Sequence, residues 1–315
     1  MFDQIYKQIE KYETIILVRH IGVDPDAMSS QIALRDSIRL TFPNKKVYAI
    51  GNGTSKFSYI GTLDKTIEEK DALLIVLDTP NLIRVDVTDL DKYAYKIKID
   101  HHQFIEEFCD LEYIDTEATS ASQIVLELIN NTPLKMNDHI ARSIFIGIMS
   151  DTNRFLYNPS KKAFKMVSEM VNKYDFDMEQ SMKDLYKRPI SEARLEGYIA
   201  QNMIINEYGF GYIILTKEDV EKLQIDSASA GNTINNFSGI EELEVWAFVT
   251  EDVKNDIIRI NIRSNKIVIN KIAEKYNGGG HKLASGVRVK TMEEAKKVLE
   301  DLNNECIKYY NENNK

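Results

Sequence analysis

The first 150 residues carry five short β-rich runs: TIILV (14–18), KVYAI (46–50), ALLIVLD (72–78), YKIKID (95–100) and LEYID (111–115). Helical periodicity fills 29–42, 119–131 and 137–149. Strands that alternate with helices build a parallel sheet, because each parallel pair needs a long crossover. The expectation is an α/β unit with helices on both faces of its sheet. No internal repeat or low-complexity tract interrupts it, apart from the polar tail NENNK.

Beyond NRFLYNPS a helix is expected over 160–173, with Pro159 and Ser160 at its start. The charged, proline-bearing run MEQSMKDLYKRPISEARLEGYIAQ reads as a helical connector. From residue 203 the pattern changes: GFGYIILT, LEVWAFVTE, DIIRINIRS and GVRVK are strand-like, with helices near 217–223, 267–276 and 292–310. That describes a smaller α+β unit. The expected division is 1–185, a linker over 186–202, and 203–315, with an active-site cleft between the two units.

Apolar residues make up 43% of the 315 and charged residues 28%, ordinary values for a globular chain whose core needs no disulfide staples. The two cysteines, Cys109 and Cys306, belong to no CxxC pattern and read as free thiols of a reducing compartment. The N-terminus lacks an apolar targeting core, and runs such as ALLIVL fall far short of the ~20 residues of a membrane helix. A cytoplasmic location is expected, without a membrane partner. The formal net charge of −9 argues against a grip on long duplex nucleic acid, which needs many Lys and Arg contacts to phosphate. It leaves room for a short anionic substrate brought in by cations.

The five histidines are spent unevenly, two of them side by side in KIKIDHHQF. The first strand delivers His20, Asp24 and Asp26 at its C-terminal end. ALLIVLDTP delivers Asp78, YKIKIDHH delivers Asp100, His101 and His102, and the segment SIFIGIMSDT delivers Asp151. Open α/β sheets bind ligands outside the carboxyl ends of their strands. Taken singly, Asp-Pro-Asp reads as a turn and a strand-terminal Asp as a helix cap. Converging together, these groups would repel and desolvate one another unless a cation lay among them. Carboxylates mixed with imidazoles and no thiolate suit Mn²⁺, with Mg²⁺, Co²⁺ or Fe²⁺ as alternatives. So many ligands point to two metals sharing a carboxylate at ~3.5–4 Å separation.

In the second unit, NGGGHKLASG places Gly278, Gly279 and Gly280 before His281. Residues without Cβ let backbone N–H groups approach an anion. Arg263, at the end of INIRSN, offers a fork of donors to phosphate. A tight turn beside a surface arginine is the equal alternative. Asn235 in INNFSGI reads as a turn or a substrate-side residue. Thr119 and Ser120 read as helix caps first and phosphate contacts second, and His139 as a polar helix residue. No aromatic stacking ladder is legible.

The order HIGVDPDA, LDTP, IDHH, SDT resembles the DHH phosphoesterase superfamily, and GGGHKLASG (278–286) resembles its DHHA1 domain. The likeness spans nearly the whole chain and is similar to the oligoribonuclease, pAp-phosphatase and linear-dinucleotide phosphodiesterase group. It implies a metal held by His20, Asp24 and Asp78 and a second held by Asp26, Asp78, His101 and Asp151. It implies further that Asp78 bridges the two, that Asp100 orients an imidazole and that His102 faces the substrate. Pro25, Ser29-Ser30 and Asn277 stand where the family often has glycine, Gly-Ser and a fourth glycine, and none of these departures removes a ligand. The implied activity is metal-assisted hydrolysis of short single-stranded RNA or a linear dinucleotide such as pApA to mononucleotides, or of pAp to AMP and phosphate. Two Mn²⁺ ions and a homodimer fit that resemblance. An inorganic pyrophosphatase of the same superfamily and a nucleotide-binding regulator without catalysis are the alternatives.

Overall fold

A computed structural model describes residues 1–315 except 54, 66–70, 159, 314 and 315. The expected contribution of Pro159 to a helix start therefore lies outside the described residues, as does the end of the polar tail. The chain divides into two units, Met1–Lys187 and Arg188–Lys315.

In the first unit, α1 (Phe2–Lys11) leads into β1 (Thr14–Val18), α2 (Pro25–Thr41), β2 (Lys46–Ala49), β3 (Leu73–Leu77), β4 (Tyr95–Asp100) and β5 (Leu111–Ile114). Helices α3 (Ala121–Asn130), α4 (Asp138–Asp151), α5 (Lys161–Lys173) and α6 (Met178–Tyr186) follow. The strands form one parallel sheet in the order β2-β1-β3-β4-β5. Strands β1 and β3 are buried along their whole length, which their unbroken Ile, Leu and Val content demands.

The two faces of this sheet differ. Ile15, Leu17, Leu73, Ile75, Leu77, Ile97 and Ile99 share a core with side chains of α1 to α5. Ile16, Val18, Leu74 and Val76 point the other way, against Ile50, Val85, Tyr93 and Cys109. Loops and short 3₁₀ turns supply those partners, so among the described residues the long helices cover one face only. The expectation of helices on both faces is corrected accordingly. The connections β3–β4 and β4–β5 are short of regular helix, and their apolar residues fold back as loops.

Helix α2 starts four residues earlier than its periodicity suggests. Asp24 caps it by accepting from the Ala27 amide at 3.0 Å, and Pro25 occupies the first turn. There its missing N–H costs nothing and its fixed φ suits a helix. Asp26 is thereby carried into the first helical turn and buried, 1% exposed.

The second unit contains α7 (Ile190–Asn202), β6 (Ile204–Ile205), β7 (Phe210–Leu215), α8 (Lys217–Leu223), α9 (Ser229–Thr233), β8 (Val245–Asp252), β9 (Ile257–Ser264), α10 (Asn270–Lys275), β10 (Gly279–His281), β11 (Ala284–Val289) and α11 (Met292–Asn313). Its mixed sheet runs β10-β11-β9-β8-β7-β6, with only β7 and β8 parallel. Helix α7 sends Leu195 and Ile199 into an apolar cluster with Trp246 and Phe248, so it packs as part of this unit. Gly279 and Gly280 lie on the edge strand β10, in a hairpin with β11, and the amide of Gly278 just before it donates to the Ala273 carbonyl at the end of α10. Both cysteines are buried and unpaired. No described helix is long and apolar enough to cross a membrane.

Candidate metal centre

The C-terminal ends of β1, β3 and β4 bring the expected side chains together in the first unit. His20 follows β1 and is 2% exposed. Its Nε2 lies 3.4 Å from Asp24 Oδ2 and 3.5 Å from Asp78 Oδ2. His101 Nε2 lies 3.3 Å from Asp78 Oδ1 and 3.5 Å from Asp151 Oδ2. Ligand atoms of His20, Asp24 and Asp78 all fall within 4.8 Å of one another, as do those of Asp26, His101 and Asp151, and of Asp78, His101 and His102.

Those separations are long for hydrogen bonds and right for ligands around an ion. Bonds of ~2.1 Å put neighbouring ligand atoms about 3.0 Å apart in an octahedron and about 3.4 Å apart in a tetrahedron. Asp78 Oδ1 is buried with no hydrogen-bond partner, although it lies at the middle of the cluster. An orphaned carboxylate oxygen there fits a divalent cation, and oxygen with imidazole donors is the donor set of Mn²⁺, Mg²⁺ or Co²⁺.

Each side chain is held by its element. Asp78 takes φ 52°, a left-handed conformation that Asp tolerates better than most residues. Asp26 accepts from the amides of Ala121 at 2.8 Å and Ser122 at 3.0 Å, the first turn of α3, where the helix N-terminus favours an anion. Asp151 ends α4, where the helix dipole disfavours an acid, so its charge calls for a nearby cation. Ser120 is the N-cap of α3, its Oγ accepting from the Gln123 amide, and Thr119 Oγ1 donates to Gln123 Oε1. Both are buried. His139 sits on an exposed helix face 3.4 Å from Asp36.

Without an ion the cluster holds protons. Burial would lower His20, but the carboxylates of Asp24 and Asp78 beside it outweigh that and push it up to about 10. His101 is likewise pushed up to about 10, burial opposing and Asp78 raising. Burial, then the charge of Asp78, pushes Asp26 up to about 7. Burial with Asp26 beside it raises Asp151 well above the carboxylate range, although a third of its side chain reaches solvent. Burial would raise Asp78 too, but the two histidines hold it below the usual range.

Asp100 is 1% exposed and serves His102 in place of a ligand imidazole. Its Oδ1 accepts from the amides of His101 and His102 at 2.9 and 3.3 Å and from His102 Nδ1 at 2.8 Å. An ionised carboxylate only accepts, so Nδ1 carries the proton. His102 Nδ1 is therefore engaged despite lying 3.5 Å from Asp78, and Nε2 is the nitrogen that could meet a substrate.

In the second unit, Arg263 Nε donates to Asn235 Oδ1 at 2.7 Å, joining two of the expected residues. Ala284 pairs with Arg263 on one side and His281 on the other, so both occupy one row across the sheet. A Cβ on Gly278 would lie 2.3 Å from the Gly286 carbonyl oxygen, and one on Gly280, at φ 139°, 2.4 Å from that of Ala284. Those two glycines permit close chain packing. Gly279 faces open space.

Three residues escaped the sequence reading. Arg84 Nη2 lies 3.2 Å from His20 Nδ1. Gly147 on α4 abuts Asp26 and Ser122. Lys98 is fully buried beside Asp100. Only Lys98 left a signal, a lysine set between the buried Ile97 and Ile99 in a strand.

Comparison with known proteins agrees with this layout. The DHH family N-terminal domain matches residues 14–148 and the DHHA1 domain residues 206–308. A bifunctional oligoribonuclease and PAP phosphatase NrnA from Bacillus subtilis is 35% identical over 97% of this chain and 99% of its own. A probable enzyme of the same name from Streptococcus mutans is 35% identical over 96% and 98%. The crystal structure of an exopolyphosphatase-related protein from Bacteroides fragilis superposes with a TM-score of 0.87 at 29% identity, covering 98% of this chain and 96% of that one.

Proposed function

The chain belongs to the DHH family, with a DHHA1 domain following its DHH domain, and from that premise we propose that it hydrolyses short oligoribonucleotides and linear dinucleotides to mononucleotides, and pAp to AMP and phosphate. The observation that carries this reading is the convergence of His20, Asp24, Asp26, Asp78, His101 and Asp151 at one sheet edge. Two full-length relatives that share 35% of their residues bear oligoribonuclease and PAP phosphatase names, which supports the substrate class.

Two Mn²⁺ ions are the proposed cofactors, one held by His20, Asp24 and Asp78 and the other by Asp26, Asp78, His101 and Asp151. Such ions, when bound, supply a water nucleophile near neutral pH and offset charge on phosphoryl oxygens. The residues of the chain do the rest. Asp78 orients both halves of the ligand set. As the water oxygen bonds to phosphorus, the bond to the leaving oxygen breaks, and that oxygen takes the Nε2 proton of a doubly protonated His102, leaving the neutral ring with its remaining proton on Nδ1. Asp100 holds the opposite nitrogen of the ring throughout, at 2.8 Å. Arg263, steadied by Asn235, and His281 with the backbone of Gly278 to Gly280 are proposed contacts to the anionic groups of the substrate.

The test is a panel of pApA, pGpG, pAp, two- to five-residue RNA, pyrophosphate and cyclic dinucleotides with purified protein and Mn²⁺. Turnover of the linear nucleotides with release of mononucleotides is expected. Turnover of pyrophosphate alone, or tight nucleotide binding with no product, would overturn the proposal.

A further inference from the structure

Strand β4 carries a lysine, Lys98, whose ammonium group never reaches solvent. Lys98 and Asp100 are 0% and 1% exposed at their side chains, and Lys98 Nζ lies 3.8 Å from Asp100 Oδ2. A buried charge is tolerated only when it is paired and hydrogen-bonded. Lys98 Nζ donates to the Pro80 carbonyl oxygen at 3.1 Å, lies 3.9 Å from Glu112 Oε2, and sits 4.8 Å above the ring of Phe108. It is held on four sides.

Asp100 divides its labour between two oxygens. Oδ1 receives three donors, among them His102 Nδ1. Oδ2 is buried without a hydrogen bond, and Lys98 is the cation that faces it. Pro80 stands two residues beyond Asp78, so one ammonium group ties the loop after β3 to the carboxylate at the end of β4. We propose that Lys98 is a positioning residue for His102: it fixes the Asp100 carboxylate so that Oδ1 holds Nδ1–H and Nε2 stays aimed at the leaving oxygen. The residue touches neither substrate nor any metal ligand. Its effect passes through Asp100, and the inference rests on the role given to His102 above.

The test removes the charge and keeps the shape, with Lys98→Met. Because that would strand Glu112, a second variant, Lys98→Met with Glu112→Gln, keeps the local charge balanced while Asp100 still loses its counterion. Supporting groups of this kind are typically worth about 10–100-fold. A loss of that size in kcat, with KM and Mn²⁺ affinity near wild type, is expected on a dinucleotide, whose leaving alkoxide needs a proton. On the p-nitrophenyl ester of a nucleotide 5′-phosphate in mildly alkaline buffer, whose phenolate needs none, both variants are expected to stay near wild type. In the metal-free protein, the Nδ1 proton of His102 is expected to exchange faster in both variants by NMR. Equal losses on both esters would mean a structural role, and no loss on the dinucleotide would mean no role; either overturns the inference. So does unchanged Nδ1–H exchange, even if the wild type hydrolyses neither ester and the functional reading itself falls.

Discussion

At the scale of single residues, Asp78 combines backbone strain with a buried carboxylate oxygen that no hydrogen bond satisfies. Its φ of 52° and its buried, unpartnered Oδ1 are costs that folding alone does not reward. Both are accounted for if the carboxylate bridges two cations. Asp78→Asn keeps the shape and the left-handed tolerance but loses the charge. Metal assistance supplies several kcal/mol to phosphoryl transfer, so turnover is expected to fall about a thousandfold or more. Equilibrium dialysis with Mn²⁺ should show weakened binding at both sites. An Asn variant with near-normal activity would refute the bridge. Asn153 tests strain of a different kind, since it opens a run of three left-handed residues just past Asp151, with φ of 43°, 63° and 61°. Asn153→Gly is expected to be tolerated or mildly stabilising, and Asn153→Val to cost about 1–2 kcal/mol in urea unfolding, because β-branched residues resist this conformation.

At the scale of elements, the centre depends on how closely α3 and α4 approach the start of α2. A Cβ on Gly147 would lie 2.0 Å from Ser122 Oγ and 2.8 Å from Asp26 Oδ1. Gly147→Ala is therefore expected to push Asp26 off its two amide donors. Overpacking of this type costs about 1–3 kcal/mol. Thermal unfolding should show that loss together with weaker Mn²⁺ binding, whereas Gly197→Ala, on an open face of α7, should show neither. The strands were legible in the sequence because their apolar runs are short and bounded, and much of the acid–histidine cluster because His20, Asp78, Asp100 and His101 sit at strand ends. Which face the helices cover was not legible, since Ile16 and Leu74 look the same whether a helix or a loop lies over them. Gly147 was invisible for the same reason: the groups it makes room for lie 25 and 121 positions away in the chain. The start of α2 was missed because Asp-Pro-Asp serves as cap and first turn while bringing two acids to the cluster. Sequence periodicity registers only the apolar residues that follow.

At the scale of the whole molecule, a chain of net charge −9 gathers five of its acids around its centre and must balance them. Protons do this when no ion is bound. His20 and His101 are held up near 10 and Asp26 near 7, so each binds its proton more tightly in the folded state than in the unfolded one. Raised values of this sign contribute stability that is complete below the unfolded value and disappears as pH climbs through the folded one. For the histidines that window runs from about 6.5 to about 10, and for Asp26 from about 4 to about 7. Asp78, held low, runs the other way, but it titrates below this range. The metal-free protein is thus expected to lose stability steadily from near neutral to alkaline pH, by at most about 1.4 kcal/mol per unit for each histidine. Divalent ions take the place of those protons, so the Mn²⁺-loaded protein should unfold at a nearly constant temperature over the same range. The gap between the two melting curves should widen as pH rises. Titration calorimetry in buffers of different ionisation enthalpy should register protons released on Mn²⁺ binding at neutral pH. If the metal-free protein grew more stable with rising pH, or bound Mn²⁺ without releasing protons, the imidazoles would not be exchanging protons for metal, and the ligand set would have to be reassigned.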